Sequence, residues 1–187
     1  MKFKTLLVTS VCPTPLGRLT LAASPTGLAG AWFEGQQHLP PELAKGAVSG
    51  TAPVWPAQPS QPVLLEAARQ IDAYFDGRLN DFDLPLDLSA GTAFQQAVWQ
   101  ALRALPRGRT CSYSALSERI GRPAAVRAVG GAIARNPISL IVPCHRVIGA
   151  DGALTGYAGG LARKTALLQG EGALPAPGLR DLPHAPD

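Results

Sequence analysis

The sequence predicts an α+β protein in which a small antiparallel sheet precedes a group of helices. Short apolar stretches within the first 33 residues are separated by turn residues, as in a sheet built of hairpins. Residues 63–135 instead repeat apolar side chains at helical spacing. With 187 residues, 46% of them hydrophobic and 16% charged, the chain is long enough for one domain or two small ones.

Three strands are predicted in the sheet. They cover residues 5–11, 18–23 and 28–33, and the last two are joined by the turn sequence Ser-Pro-Thr-Gly at 24–27. The first stretch alternates with threonine and serine, which is typical of a strand, so we expect no export signal. No apolar run approaches the roughly 20 residues that a membrane span needs.

A loop and a covering helix follow the sheet. Residues 36–62 are rich in Pro, Gly, Ala, Ser and Gln, which predicts a long loop without regular structure. Residues 63–75 place apolar side chains at helical spacing and end before an Asp-Gly pair. We expect this helix to cover the sheet.

Three further helices are predicted, of which the last two form a helix-turn-helix. Thr92 is a candidate N-cap for a helix with an apolar stripe that ends before residue 106. Residues 113–120 and 124–135 are the next two helices, joined by the turn Gly-Arg-Pro at 121–123.

The second helix of this pair, "AAVRAVGGAIA", carries small residues and one cation, Arg127. A helix that reads bases in the major groove would show several long polar side chains. Small residues with one arginine favour close approach to a backbone or a narrow groove. A buried helix packed through small residues is the alternative.

Positive charge is concentrated in the same region. The net charge is +4. Residues 103–146 contain one acidic residue, Glu118, and eight arginines: Arg103, Arg107, Arg109, Arg119, Arg122, Arg127, Arg135 and Arg146. This excess is typical of a polyanion-binding surface, because cations near phosphates release condensed counterions. A solvated arginine-rich face remains the alternative.

Cys12, Cys111 and Cys144 are an odd set with wide spacing, which argues against a disulfide framework and favours a reducing, cytoplasmic location. The three histidines are scattered, so the ligand spacing of a structural zinc site is not met and we expect no metal.

Cys144 lies within the stretch "ISLIVPCHRVIG", residues 138–149, in which an apolar run that we interpret as a buried strand is interrupted at Pro143. A free cysteine in such a run is commonly a small buried hydrophobe. His145 and Arg146 offer instead a base and a positive charge that favour a nucleophilic thiolate. Neighbouring strand side chains point to opposite faces, so His145 would need a backbone kink or a water to reach the sulfur.

An orienting acceptor for His145 is also required by this second interpretation. The nearby acids are Asp151, in a predicted hairpin turn over 150–152, and Glu171, just beyond a last predicted helix over 161–168. Glu171 between two glycines either folds back against the histidine or stays an exposed helix-end acid. Spacing leaves both open.

The motifs "FQ..VW..L", "SY..L", "RAVG.A...NP", "PCHRVI" and "GYAGGL..K..LL..EG" occur in this order within residues 91–172. This series resembles the C-terminal domain of the O6-alkylguanine-DNA alkyltransferases, the methylated-DNA–protein-cysteine methyltransferases. The resemblance, which extends to the free-standing bacterial form, implies a ribonuclease H-like domain over 1–85 and a winged-helix-like DNA-binding, alkyl-acceptor domain over 86–172. The Pro- and Ala-rich tail, 173–187, is expected to be disordered.

The implied activity is irreversible transfer of a methyl or other alkyl group from O6-alkylguanine, and from O4-alkylthymine, to Cys144. His145 would act as a base through water, oriented by Glu171, with no cofactor. The partner would be double-stranded DNA, bound through its minor groove by a monomer. A base alkylated on its pairing edge is extruded at lower cost than a normal base.

Site roles also follow from the resemblance. Arg127 would enter the base stack, Tyr113 would help rotate the nucleotide, and Asn136 would be the hinge before the active-site loop. The rest of the DNA-binding helix surface would comprise Ala128, Gly131 and Arg135. The alkyl and base pocket would include Tyr157, Lys164, Ser139 and Ala158. The rival classes are a non-catalytic lesion binder, disfavoured by Cys144, a helix-turn-helix transcription factor and a cysteine hydrolase.

Overall fold

The computed structural model describes residues 3–43 and 55–175. Strands β1 (Val8–Cys12), β2 (Leu19–Ser24) and β3 (Gly27–Phe33) form an antiparallel sheet in the order β1-β2-β3. The predicted three strands and the α+β class are confirmed.

Helix α1 (Pro62–Phe75) lies against β2 and β3. It begins with Pro62 in the first turn, where a missing N–H costs nothing, and the Gln61 side chain accepts a hydrogen bond from Leu64 N. Its inner face buries Leu64 and Ile71 in the core shared with the sheet. The loop predicted over 36–62 contains a short 3₁₀ helix at Pro41–Leu43, and residues 44–54 lie outside the described part.

Helix α2 (Ala93–Arg103) begins with a capping box, in which Thr92 and Gln95 each accept a hydrogen bond from the other's backbone N–H. Its buried face, formed by Val98, Trp99 and Leu102, supports the C-terminal half. The Trp99 indole donates a hydrogen bond to Ala132 O at 2.9 Å and so connects α2 to the helix that contains Ala132.

Two consecutive helices pack on α2: α3 (Tyr113–Arg119) and α4 (Val126–Ala134). Ser112 caps α3, and a 3₁₀ turn at Pro123–Ala125 leads into α4. The turn between them needs a residue at positive φ, which Gly121 supplies at +68°.

The prediction of a strand before Cys144 is wrong. Only Ile138 pairs, through a single parallel bridge to Ala31, and the chain then turns, with Leu140 at φ +72°. Cys144–Arg146 forms a 3₁₀ helix. Strand pairing stops because the Asn136 side chain accepts from Ile138 N and donates to Val142 O, which closes residues 138–142 into a turn. The flanking Pro137 and Pro143 have no N–H to offer a sheet on either side of it.

The expected wing is only partly present. Strand β4 (Cys111–Ser112) pairs in parallel with β5 (Val147–Ile148). The predicted turn over 150–152 is closed by a hydrogen bond from Gly149 N to Ala153 O, but no second hairpin strand follows among the described residues. Helix α5 (Leu161–Gly170) ends two residues later than predicted.

The N-terminal sheet and the segment before Cys144 are directly bonded. Ala31 N donates to Pro137 O and Ser139 N donates to Ala31 O, both at 2.9 Å. Gln37 N donates to Ala158 O at 2.8 Å. In the described part of the chain, no helix is long and apolar enough to cross a membrane.

Candidate active site

Cys144 is the first residue of the 3₁₀ helix and is 4% exposed. Its Sγ accepts a hydrogen bond of 3.1 Å from Asn136 Nδ2. Burial raises the pKa of the Cys144 thiol, although the Asn136 hydrogen bond and the charge of Lys164 act in the opposite direction. The thiol is therefore held protonated at neutral pH, and its use as a nucleophile requires a base.

Asn136 connects the end of α4 with the segment that carries the cysteine. Its Oδ1 accepts from Ile138 N at 3.0 Å, and its Nδ2 donates to Val142 O at 2.8 Å as well as to Cys144. The side chain is 3% exposed. These bonds fold residues 138–142 into a turn and direct the sulfur toward α4.

His145 is completely buried and lies against Glu171, with 3.0 Å between His145 Nε2 and Glu171 Oε1. Its Nδ1 makes no hydrogen bond to another described protein atom. A carboxylate accepts the Nε2 proton, so the neutral ring carries its lone pair on Nδ1. Burial lowers the pKa of His145, against the raising effect of Glu171, and favours the neutral form.

Glu171 follows α5 and accepts four hydrogen bonds. Its Oε1 receives Tyr74 Oη at 2.8 Å, His145 Nε2 at 3.0 Å and Arg146 Nη2 at 2.7 Å, while Oε2 receives Arg146 Nε at 2.9 Å. Burial alone would raise the pKa of this carboxyl, but the bonds from His145 and Arg146 hold it well below its usual range. The carboxylate is ionised at any pH near neutral.

Arg146 does not have the position expected for it. Its guanidinium is 5% exposed, bonded to both Glu171 oxygens, and donates through Nη1 to Leu105 O at 2.5 Å. The arginine therefore orients Glu171, and its charge is compensated by the carboxylate instead of being directed at the thiol.

A pocket of about 310 Å³ opens onto Cys144. Its walls come from α3, α4, the loop after β5 and the N-terminal half, and it is lined by Gln37, Tyr113, Gly130, Ile133, Ala134, Cys144, Thr155, Gly156, Tyr157 and Ala158. Its volume is in the lower range of small-molecule sites. The pocket therefore has room for one small organic group beside the sulfur.

Two of the four residues predicted for the pocket, Lys164 and Ser139, are not part of its lining. Lys164 is fully buried and its Nζ donates to Val147 O at 2.5 Å and to Thr155 O at 2.6 Å, which holds the loop that forms one wall. Burial lowers its pKa to about 8. Ser139 Oγ donates to Gln36 Oε1 at 3.2 Å.

One side of α4 faces solvent beside this pocket. Arg127, Ala128 and Arg135 are exposed and Gly131 is half-buried, while Val129 and Ile133 pack inside. The alternative of a buried helix packed through small residues is therefore wrong, because this side of α4 is open to solvent. Tyr113 Oη donates to Thr155 O at 3.4 Å, which places the ring at the pocket mouth.

Six of the eight arginines counted in this region are exposed, namely Arg103, Arg109, Arg119, Arg122, Arg127 and Arg135. Arg107 is half-buried and donates to two carbonyls, and Arg146 is buried. At most the six exposed arginines can therefore contact a bound polyanion. Within residues 3–43 and 55–175, no three His, Cys, Asp or Glu side chains are grouped to hold a metal ion.

Sequence reasoning missed Tyr74 and Gln37. Tyr74 lies in the helix predicted over residues 63–75, and helical periodicity gives no information on where a tyrosine hydroxyl is directed. Gln37 lies in a segment predicted as irregular loop, yet it lines the pocket.

Comparison with known proteins matches two family models to the chain. The 6-O-methylguanine DNA methyltransferase ribonuclease-like domain matches residues 7–88, and the DNA binding domain of the same name matches residues 93–173.

Curated relatives are similar over most of their length. A methylated-DNA–protein-cysteine methyltransferase of Mycobacterium leprae is 46% identical over 156 residues, which are 83% of this chain and 87% of the relative. The protein of that name from Haemophilus influenzae is 42% identical over 84% of this chain and 82% of its own length.

Solved structures are similar as well. Mycobacterium tuberculosis OGT in complex with DNA has a TM-score of 0.76 and 44% identity, and the match covers 89% of this chain and 93% of that one. The O6-methylguanine-DNA methyltransferase of the archaeon Pyrococcus kodakaraensis has a TM-score of 0.63 at 26% identity, over 89% of this chain and 99% of that one. All three kinds of comparison agree over both halves of the chain, and the chain belongs to the 6-O-methylguanine DNA methyltransferase family.

Proposed function

We propose that this protein repairs DNA by transferring the alkyl group of O6-alkylguanine to its own Cys144 in a single turnover. The observation that carries the proposal is the arrangement of a buried thiol beside a pocket, with a buried His145–Glu171 pair next to it in the chain. Neither a lesion binder nor a transcription factor needs this pair.

In the transfer step, the sulfur of Cys144 attacks the alkyl carbon, a C–S bond forms, and the bond between that carbon and guanine O6 breaks. His145 takes the thiol proton through one water at Nδ1, the ring nitrogen that makes no hydrogen bond to a described protein atom. Glu171 holds the other ring nitrogen and stabilises the imidazolium. The departing guanine anion takes one proton from water and the His145 imidazolium returns one proton to water, so atoms and charge balance.

The product is a thioether, which has no S–H proton and is a poor leaving group. The protein therefore acts once. Asn136 stabilises the developing thiolate by its hydrogen bond to sulfur, which offsets part of the burial penalty. No cofactor takes part in this scheme.

Binding to the minor groove of double-stranded DNA is assigned to the solvent side of α4. Arg127 is exposed in the first turn of this helix and would occupy the space left by the extruded nucleotide, with Ala128 and Gly131 allowing close approach and Arg135 contacting phosphate. Tyr113, at the pocket mouth, would guide the nucleotide as it rotates inward.

The pocket roles are assigned as follows. Tyr157 and Ala158 contact the base or its alkyl group, and Lys164 and Ser139 act behind the wall by holding the loops. An alkylated thymine is smaller than an alkylated guanine, so we include O4-alkylthymine among the substrates.

We also propose that residues 1–85 and 86–172 are the two domains, that the protein acts as a monomer, and that it works in the cytoplasm. All three cysteines are free and two of them are buried, which suits a reducing compartment. Size-exclusion chromatography with light scattering tests the monomer.

The decisive test is the intact mass of the protein after incubation with duplex DNA containing O6-methylguanine. We expect a gain of one methylene unit, located on the Cys144 peptide, and no further gain with excess substrate. Cys144→Ser should show none, whereas Cys111→Ser should behave as wild type. Repeated turnover by unmodified protein would refute the proposal in favour of a hydrolase, and binding without a mass change would favour a lesion binder.

Arg127→Ala tests the groove assignment, with the exposed Arg119→Ala as a matched loss of one positive charge. Arg127→Ala should slow the reaction with duplex lesions far more than the reaction with free O6-methylguanine, because only the duplex needs a side chain in the vacated stack. Equal losses on the two substrates, or equal effects of the two variants, would contradict it.

A further inference from the structure

The N-terminal half reaches the candidate active site with one hydroxyl group. Tyr74 on α1 is completely buried, and its Oη donates a hydrogen bond of 2.8 Å to Glu171 Oε1, across 97 positions of sequence. Burial and the nearby Glu171 charge raise the pKa of Tyr74 well above its usual value. The phenol therefore remains a hydrogen-bond donor throughout the pH range in which the protein works.

The ring that carries this hydroxyl is held on several sides. It stacks on Phe82 with 5.3 Å between ring centroids and meets Phe75 edge-on at 5.3 Å. The guanidinium of Arg107 lies over it, 4.8 Å from the centroid. A tyrosine placed only to fill the core would not need its oxygen so strictly located.

Arg107 also links the two sides of this contact. It donates through Nη1 to Leu79 O at 2.9 Å and through Nη2 to Gly170 O at 3.0 Å, the carbonyl immediately before Glu171. The distance between the Tyr74 ring and the Glu171 backbone is therefore constrained by a third residue. The Tyr74 hydroxyl and the Glu171 carboxylate are therefore held together by the Arg107 contacts as well as by their own hydrogen bond.

Tyr74 shares its acceptor atom with the histidine. Among the described residues, Glu171 Oε1 accepts from Tyr74, His145 and Arg146, whereas Oε2 accepts from Arg146 alone. Each additional donor on one oxygen spreads its negative charge and weakens its hold on the other protons. Tyr74 therefore competes directly with the Nε2 proton of His145.

We propose that Tyr74 is a positioning residue for alkyl transfer, which acts through Glu171 to limit how strongly the carboxylate stabilises the protonated form of His145. This inference rests on the proposed function, in which His145 must be neutral to accept the thiol proton. The hydroxyl keeps the imidazole available as a base at lower pH. By this route the N-terminal half contributes to the chemistry as well as to the fold.

The test is Tyr74→Phe, which removes the oxygen and keeps the ring contacts. The other titratable or charged groups near His145, namely Arg146, Lys164, Cys144 and Tyr157, stay in place. We expect the acid limb of the single-turnover rate profile to move up by about half to one pH unit. The rate on that limb then falls about three- to tenfold, with less than about a twofold change on the alkaline plateau.

Ser24→Ala is the matched control, because it also removes a buried hydroxyl that donates to a carboxylate, Asp87 Oδ2 at 2.6 Å, but at the end of β2. It should lower the melting temperature without moving the rate profile. If Tyr74→Phe only lowers the melting temperature and leaves the profile in place, as the control does, Tyr74 is structural and the proposal is overturned.

Titration of His145 by NMR without DNA separates this inference from the proposed function. The chain has three histidines, so His38→Gln and His184→Gln assign the signals. Tyr74→Phe should raise the midpoint of the His145 titration, and an unchanged midpoint overturns the proposal. If wild-type protein failed to alkylate Cys144, the function would be wrong, and this titration would still decide whether Tyr74 controls His145.

Discussion

Replacing Glu171 with Gln should destabilise the protein strongly, because the change leaves Arg146 charged and buried without a counter-ion. The Glu171 side chain is 0% exposed and that of Arg146 is 6% exposed, with 2.7 Å between Arg146 Nη2 and Glu171 Oε1. Breaking a buried pair in this way costs about 3–5 kcal/mol. For a chain of this size, that corresponds to a fall of roughly 6–20 °C in melting temperature.

The matched control is Glu66→Gln. Glu66 pairs with Arg69 at 2.6 Å, an equally short contact, but the side chains are 67% exposed for Arg69 and 40% for Glu66. Water replaces the lost partner there, so we expect almost no change in the free energy of unfolding. Comparing the two variants therefore measures the effect of burial on the stability lost, because the two ion pairs are similarly short.

Urea unfolding followed by tryptophan fluorescence measures both variants. The folded-state pKa of Glu171 lies below its unfolded value, so its contribution is complete above about pH 4.5 and is lost as the pH falls toward the folded pKa. The gap between wild type and Glu171→Gln should therefore be constant near neutrality and narrow below about pH 4. A loss below about 1 kcal/mol at pH 7 would refute the reasoning. The double variant Arg146→Met, Glu171→Gln should cost less than the sum of its parts.

Three further outcomes are expected. Because burial lowers the pKa of His145 from its usual 6.5, the decline of the wild-type transfer rate on the acid side should be centred below pH 6.5; a decline centred above pH 6.5 in single-turnover assays would contradict a neutral buried base. Trp99→Phe removes the indole bond to Ala132 O and should destabilise by about 1–3 kcal/mol in urea, with α4 losing amide-exchange protection first; uniform loss of protection would argue against a local tie. Asn136→Ala removes the donor to sulfur and should raise the pKa of the Cys144 thiol further, seen as slower alkylation at fixed pH; an unchanged thiol titration would show that Asn136 serves only the turn.

Local signals predicted most of the secondary structure correctly. The Thr92 cap, the apolar stripe of α2 and the proline that starts α1 act within one or two helical turns, so their physics is contained in neighbouring residues. The strands of the N-terminal sheet, marked by alternation and a turn sequence, followed for the same reason.

Features that depend on distant partners were not predictable in this way. The apolar run before Cys144 has the composition of a strand, but the Asn136 side chain and two prolines fold it into a turn. Closeness in sequence predicts that the charge of Arg146 acts on the Cys144 thiol, whereas its hydrogen-bond partner Glu171 lies 25 positions away. The hydroxyl of Tyr74 finds its acceptor 97 positions away, which no periodicity encodes.

Strand β3 is hydrogen-bonded to later parts of the chain, so the N-terminal half cannot be expressed alone without losing these bonds. On the edge of β3 that does not pair with β2, Leu28 bonds with Pro85 and Asp87 of the segment between α1 and α2. On the same edge, Ala31 bonds with Pro137 and Ser139 of the segment before the cysteine. A fragment ending before residue 137 would expose the Ala31 N–H and C=O on an apolar strand edge, the kind that recruits strands from other molecules. The N-terminal half expressed alone should therefore self-associate, and the intact chain should unfold in one cooperative transition.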